Sequence, residues 1–174
     1  MKKSLLILSF WIMLFGDLSR AADFGGGDGL ISGETLSPRE LELYLEINPD
    51  PAMTGQNITL SVIGRVAPGM HLYSVFPQGR FGPIQTKVEV ERPGLIEREE
   101  ITESKPKKIL DQAFDLSLEV HENDFWIKKG YQVPPDMKKG DYQLEGYLSY
   151  QICDNKICSL PQKKKFGGIL HVNH

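Results

Sequence analysis

The 174 residues contain only two cysteines, Cys153 and Cys158, and what else is scarce determines how that pair can be read. No hydrophobic run reaches the roughly 20 residues that a membrane-spanning helix needs. The longest candidate, residues 5–15, is interrupted by Ser9 and closed by Asp17. Neither sign of charge dominates, and a formal net charge of −3 gives no electrostatic footprint for nucleic acid. The short basic clusters at residues 105–108 (KPKK) and 163–165 (KKK) read as solvated strand ends. Histidines number four, and His121, His171 and His174 have no ligand spacing with one another or with the cysteines, which argues against zinc. The glycine run at residues 25–27 has no P-loop lysine after it. Hydrolase motifs such as Gly-x-Ser-x-Gly are missing. Amphipathic helical periodicity never persists beyond two turns, and no Cys-x-x-Cys stands in a βαβ pattern, which excludes a thioredoxin fold. No cofactor or metal is expected.

The first segment that is present reads as an export signal. Lys2 and Lys3 precede the apolar run, and Ser19 and Ala21 place small residues at the two positions a signal peptidase inspects. We expect residues 1–21 to be a cleaved signal peptide, residues 22–38 a flexible Gly-rich tail, and residues 39–174 a single β-sandwich domain. Cleavage would remove three basic residues (Lys2, Lys3, Arg20) and one acidic residue (Asp17), taking the net charge from −3 to −5.

Period-two alternation dominates the remainder. LELYLEI at residues 41–47 sets Leu41, Leu43, Leu45 and Ile47 opposite Glu42, Tyr44 and Glu46. Residues 57–66 repeat the pattern with Ile58, Leu60 and Val62. Residues 114–121 set Phe114, Leu116, Leu118 and Val120 opposite Asp115, Ser117, Glu119 and His121. Each reads as a half-buried strand. Turn signals such as NPDP, APG, ERPG and KKGDY separate them. Short strands at this spacing predict an all-β, immunoglobulin-like antiparallel β-sandwich. The sequon Asn57-Ile58-Thr59 falls inside a strand pattern and reads as incidental, and residues 125–135 (FWIKKGYQVPP) read as strand and loop packing.

In DYQLEGYLSYQIC, Tyr142, Leu144, Leu148, Tyr150 and Ile152 share one parity, so a regular strand would turn Cys153 to the less buried face. Asp154 and Asn155 favour a turn, and a hairpin there brings Cys153 and Cys158 within disulfide reach. A structural bridge is the default in an exported protein. Closing so short a ring stabilises by only roughly 2 kcal/mol, however, and a bridge at a hairpin end can open without unfolding the rest. Spacing and parity leave two readings open. One is a working dithiol/disulfide pair; the other is a non-catalytic immunoglobulin-like binding module with a structural disulfide.

Three stretches bear on the choice: VAPGMHLYS at 66–74, AFDLSLEVHENDFWI at 113–127 and, most specifically, YLSYQICDNKICSLP at 147–161. With them the chain resembles the N-terminal periplasmic domain of the thiol:disulfide interchange protein DsbD, the disulfide bond corrector family. The resemblance implies an immunoglobulin-like fold, a periplasmic location and a protein-disulfide reductase activity of the cysteine pair. It assigns Cys158 to the intermolecular mixed disulfide and Cys153 to its resolution. His71 and Tyr73 match two positions, usually tyrosines, beside the pair, and an imidazolium near Cys158 would favour the thiolate. Phe114 matches the aromatic of a cap over the sulfurs, although its alternation also fits a core residue. The implied donors are thioredoxin-like proteins and a membrane electron transporter, and the implied acceptors are exported disulfide proteins. DsbD of enteric bacteria has one more residue between its cysteines and a second proline after them, where this chain has only Pro161. Gln112 and Ala113 replace the family's acidic residues before the cap aromatic, with Asp111 and Asp115 nearby. The sequence carries no transmembrane helices and no thioredoxin-like part, so separate proteins are expected to supply its electrons.

Overall fold

A computed structural model describes residues 40–79, 82–91 and 94–174. The expected signal peptide and Gly-rich tail lie outside the described residues. Thirteen strands follow one another in these residues, with no helix, and every strand pairing but one is antiparallel.

Two sheets form the sandwich. In the first, β1 (Leu41–Asn48) pairs with β3 (Asn57–Val66), which pairs with β10 (Asp124–Gln132); the short β6 (Ile96–Glu97) and β7 (Thr102–Glu103) flank β10. In the second, β11 (Gly140–Tyr150) lies between β5 (Lys87–Glu91) and β13 (Gln162–Asn173), and β2 (Ala52–Met53) adds the one parallel pairing to β13. The alternation read in the sequence is the pleat that packs these sheets together. Leu41, Val62, Val66, Phe125 and Ile127 of the first sheet meet Leu148, Tyr150 and Phe166 of the second. Farther along, Ile58, Leu60 and Tyr131 meet Leu144, Leu170 and Val172. Glycine stands on the inward parity where a ring needs its space: the Phe125 ring lies where a Cβ on Gly64 would stand, and Phe166 does the same to Gly146.

The third sheet positions the cysteines. It is built where β3, β10 and β11 leave the sandwich, and its order is β12 (Ile152–Cys153), β4 (His71–Tyr73), β9 (Leu116–His121), β8 (Lys107–Asp111). Leu72 and Ile152 tie it to the main core beside Val66 and Tyr150. A buried acid–base pair makes a second tie. Glu103 of β7 accepts hydrogen bonds from the Ser74 hydroxyl at 2.5 Å and the Val75 N–H at 2.9 Å, and lies 2.8 Å from His121 Nε2. Both side chains are nearly inaccessible. His121 therefore lies inside, stacked on Phe125. The alternation placed it on the polar face, but its ring has a carboxylate partner that the strand's own sequence cannot reveal. The third strand also begins later than its pattern suggested. Residues 112–115 form a turn, so Phe114 precedes β9, and Leu116 is partly exposed.

Candidate functional site

The second sheet's central strand ends at Tyr150, and the chain breaks step at Gln151 before Ile152 and Cys153 join the third sheet. This break overturns the expectation that Cys153 faces outward. Its Cα opposes that of His71 on β4, and its side chain is fully buried against Tyr73, Leu118 and Val120. A parity count across the break assigns the wrong face, because burial is set by the new neighbours.

The return from Cys153 to Cys158 is a tight hairpin. The Asp154 carboxylate accepts from the backbone N–H groups of Lys156 at 2.6 Å and Ile157 at 2.7 Å, an Asx turn that holds the tip. Those two bonds keep its carboxyl below the ordinary aspartate range. Backbone bonds from Asp154 N to Ile157 O and from Ser159 N to Ile152 O flank the cysteines, which face one another as a non-hydrogen-bonded pair. That arrangement draws opposing Cα atoms closest. Here they are 4.0 Å apart, and the sulfurs are joined at 2.05 Å. The two sulfurs differ in access: Cys158 is partly exposed, whereas Cys153 is sealed. Next to Cys158 in the sequence, Ile157 and Leu160 are 72% and 84% exposed, two apolar side chains open to solvent on the cysteine hairpin and its exit.

Tyr73 joins the disulfide to a buried carboxylate. Its hydroxyl lies 2.7 Å from Asp111 Oδ2, 3.0 Å from Cys153 Sγ and 3.5 Å from Cys158 Sγ. Asp111 ends β8 at the mouth of the turn, where its Oδ1 accepts the N–H groups of Ala113 and Phe114. His71 Nε2 completes the set at 3.2 Å from Oδ2. Burial pushes the Asp111 carboxyl up, but the bonds from Tyr73, Phe114, His71 and Ala113 outweigh it and hold the group below the ordinary aspartate value. The same burial, with Asp111 alongside, raises the Tyr73 phenol far above its ordinary range, so it stays protonated.

The structure thus gathers Cys153, Cys158, Tyr73, His71 and Phe114 at one site. His71 reaches it through Asp111, and its ring meets that of Tyr73 edge-on at 5.4 Å. Phe114 is half-buried, packs against the buried cluster of Tyr73, Leu118, Val120 and Cys153, and stands edge-on to Tyr73 at 6.0 Å. Asp111 is the site residue to which sequence reasoning gave no role, noting it only as an acid near the cap aromatic. Its signal was present as an aspartate two residues before an alanine in a turn, but that pattern marks any Asx turn. Among the described residues no group of His, Cys, Asp and Glu could hold a metal, and no helix is long and apolar enough to cross a membrane.

Comparison with known proteins identifies a family for the chain. The family described as "Thiol:disulfide interchange protein DsbD, N-terminal" matches residues 46–168. Among solved structures, the reduced DsbD N-terminal domain of Neisseria meningitidis is 19% identical with a TM-score of 0.46, over 74% of this chain and 89% of that one. The N-terminal periplasmic domain of ScsB from Proteus mirabilis is 14% identical with a TM-score of 0.45, over 73% of this chain and 43% of that one. No curated protein sequence matches the chain.

Proposed function

The chain belongs to the family of DsbD N-terminal domains, and from that premise we propose that it is a periplasmic thiol:disulfide interchange protein working through Cys153 and Cys158. The observation that carries the reading is the unequal access of the two sulfurs. Disulfide exchange requires one sulfur that a partner thiolate can reach and a second that displaces the partner. Cys158 is the partly exposed one, with the exposed Ile157 and Leu160 near it in sequence, and Cys153 is buried behind it at bonding distance.

In the reducing direction the Cys158 thiolate attacks a partner disulfide, and Cys153 then attacks Cys158 and releases the reduced partner. The donors are thioredoxin-like proteins fed by a membrane electron transporter, and the acceptors are exported disulfide proteins. Phe114 covers the pair against small oxidants and reductants.

A Cys153→Ala chain tests this directly, because it can form the mixed disulfide and cannot resolve it. The expected result is an adduct at Cys158 with thioredoxin-like proteins from a periplasmic extract. The wild-type pair is also expected to equilibrate with a thioredoxin-like donor at a potential above about −300 mV. A pair that stays oxidised below that value is a permanent staple, and the exchange reading then fails.

A further inference from the structure

A buried cysteine that must become a nucleophile needs somewhere to send its proton, and among the described residues the Tyr73 hydroxyl is the polar group in contact with Cys153 Sγ. The sulfur is fully buried, and Tyr73 is the hydroxyl it touches, at 3.0 Å. The phenol has a single proton, and the carboxylate oxygen of Asp111 at 2.7 Å is the stronger acceptor for it. With that proton directed at Asp111, the phenol oxygen is free to accept from the thiol of a reduced Cys153. Tyr73 cannot hold the proton as a lasting base, because it would have to stay ionised in a buried place beside a carboxylate. It can pass one along. Asp111 is nearly inaccessible, and its Oδ1 is held by two backbone N–H groups, so Oδ2 is the oxygen aimed at the network. His71 bonds that same Oδ2 and lines a cleft of about 150 Å³ with Gly69, Met70, Glu122, Asn123 and Asn155. This gives the accepted proton a way to solvent whose lining does not include Cys158.

We propose that Tyr73 and Asp111 form a proton relay that activates Cys153 for the resolving step, with His71 as the residue that positions Asp111 and connects it to the cleft. The inference rests on the exchange reading above. Cys158 thiolate attacks one sulfur of the partner disulfide, an intermolecular S–S bond forms, and the partner's other sulfur leaves as a thiolate. Cys153 gives its thiol proton to the Tyr73 oxygen as Tyr73 gives its own to Asp111 Oδ2. The Cys153 sulfur then bonds to Cys158 Sγ and expels the partner's second sulfur. Two electrons have passed from the dithiol to the partner, and Asp111 ends protonated. The charged and titratable groups around the relay are His71 and Tyr73 on β4, Asp154 on the hairpin, which interacts electrostatically with His71, and Glu122 across the cleft.

The experiment uses the full chain, reduced and mixed with glutathione disulfide, with acid quenching to follow the Cys158–glutathione adduct as it forms and as it resolves. Formation reports on the exchange reading and resolution reports on the relay, so the two fail separately. A resolution governed only by the thiolate fraction of Cys153 rises about tenfold per pH unit below the thiol's own range. Relay to a carboxylate that is already ionised makes the wild-type resolution rate nearly flat from about pH 6 to 8. Asp111→Asn and Tyr73→Phe each lower resolution by about tenfold or more at pH 6 and restore the steep rise; the rate of adduct formation, to which the Tyr73 hydroxyl 3.5 Å from Cys158 Sγ also contributes, is read separately from the same time course. A steep wild-type profile overturns the relay even if neither variant folds. So does a variant whose resolution keeps the wild-type rate and profile.

Discussion

Cys153 Sγ and the Tyr73 hydroxyl are 3.0 Å apart, and neither residue is accessible to solvent. The contact joins residues 80 apart in sequence through the pairing of β12 with β4. It places the buried half of the disulfide against a polar atom in otherwise apolar packing with Leu118 and Val120. Everything else at the site is arranged around that contact: Asp111 beneath the phenol, Phe114 at its edge, and the open sulfur of Cys158 beside it.

Reduction should leave the fold standing. The main core lies between the two large sheets and does not include the cysteines. The ring that the disulfide closes is short, and its loss costs roughly 2 kcal/mol of chain-entropy stabilisation. Urea unfolding of the oxidised and reduced chains should therefore differ by about that amount, with the β-sheet circular dichroism of the reduced chain unchanged in the absence of urea. Loss of that signal on reduction would show that the bridge is a staple the domain depends on.

Phe114→Ala should expose the sulfurs. The ring is half-buried, sits in the turn Asp111 holds, and packs against the buried cluster that contains Cys153 and Tyr73. Exchange rates follow access to the attacked sulfur. Reduction of the disulfide by dithiothreitol should accelerate several-fold, and stability should fall by less than the about 3–5 kcal/mol of a fully buried Phe→Ala change. An unchanged reduction rate, with the stability lost, would make Phe114 a packing residue alone.

Acid should weaken the domain through its two buried carboxylates. Burial pushes Glu103 up, but His121, Ser74 and the Val75 N–H bond the ionised form and bring it below its ordinary value; Asp111 is lowered in the same way. A carboxyl lowered on folding binds fewer protons in the folded than in the unfolded chain. Its stabilisation is thus complete above the ordinary carboxylate range near about pH 4 and is lost as pH falls through the folded values. Glu103→Gln should cost about 1–3 kcal/mol near neutrality, and the gap to wild type should narrow below about pH 4. Urea midpoints at several pH values measure both effects, and a gap that is constant with pH would remove Glu103 from the acid limb.

The pattern of apolar residues was enough to read β1, β3 and β11, because each keeps one face on one core along its whole length. The same rule failed at Cys153 and His121, where the chain passes from one sheet to another and burial is decided by residues far away in sequence. Cys153 is covered by Tyr73, and His121 is held by Glu103. Asp111 was hidden for a related reason. Its local sequence specifies the turn, which is visible, but its contacts with Tyr73 and His71 arise only when β8 and β4 are brought to opposite sides of β9.

The rim of Cys158 should matter for proteins and not for small thiols. Among the described residues, Ile157 and Leu160 are the most exposed of the large apolar side chains, and they flank Cys158 in sequence without belonging to a core cluster. Their exposure costs the free chain some solubility and gains it no stability, so a partner's surface is the natural reason for both. A pair of apolar side chains buried on docking contributes roughly 1.5–3 kcal/mol each when fully covered. Ile157→Asp or Leu160→Asp should then lower kcat/KM with a thioredoxin-like donor by about tenfold or more, since 1.4 kcal/mol is a factor of ten. Reduction of the same variants by dithiothreitol should stay within about twofold of wild type, because a small thiol needs only the sulfur. Equal losses with both reductants would mean that the substitutions disturb the hairpin itself, and the Asx turn at Asp154 would be the part to examine.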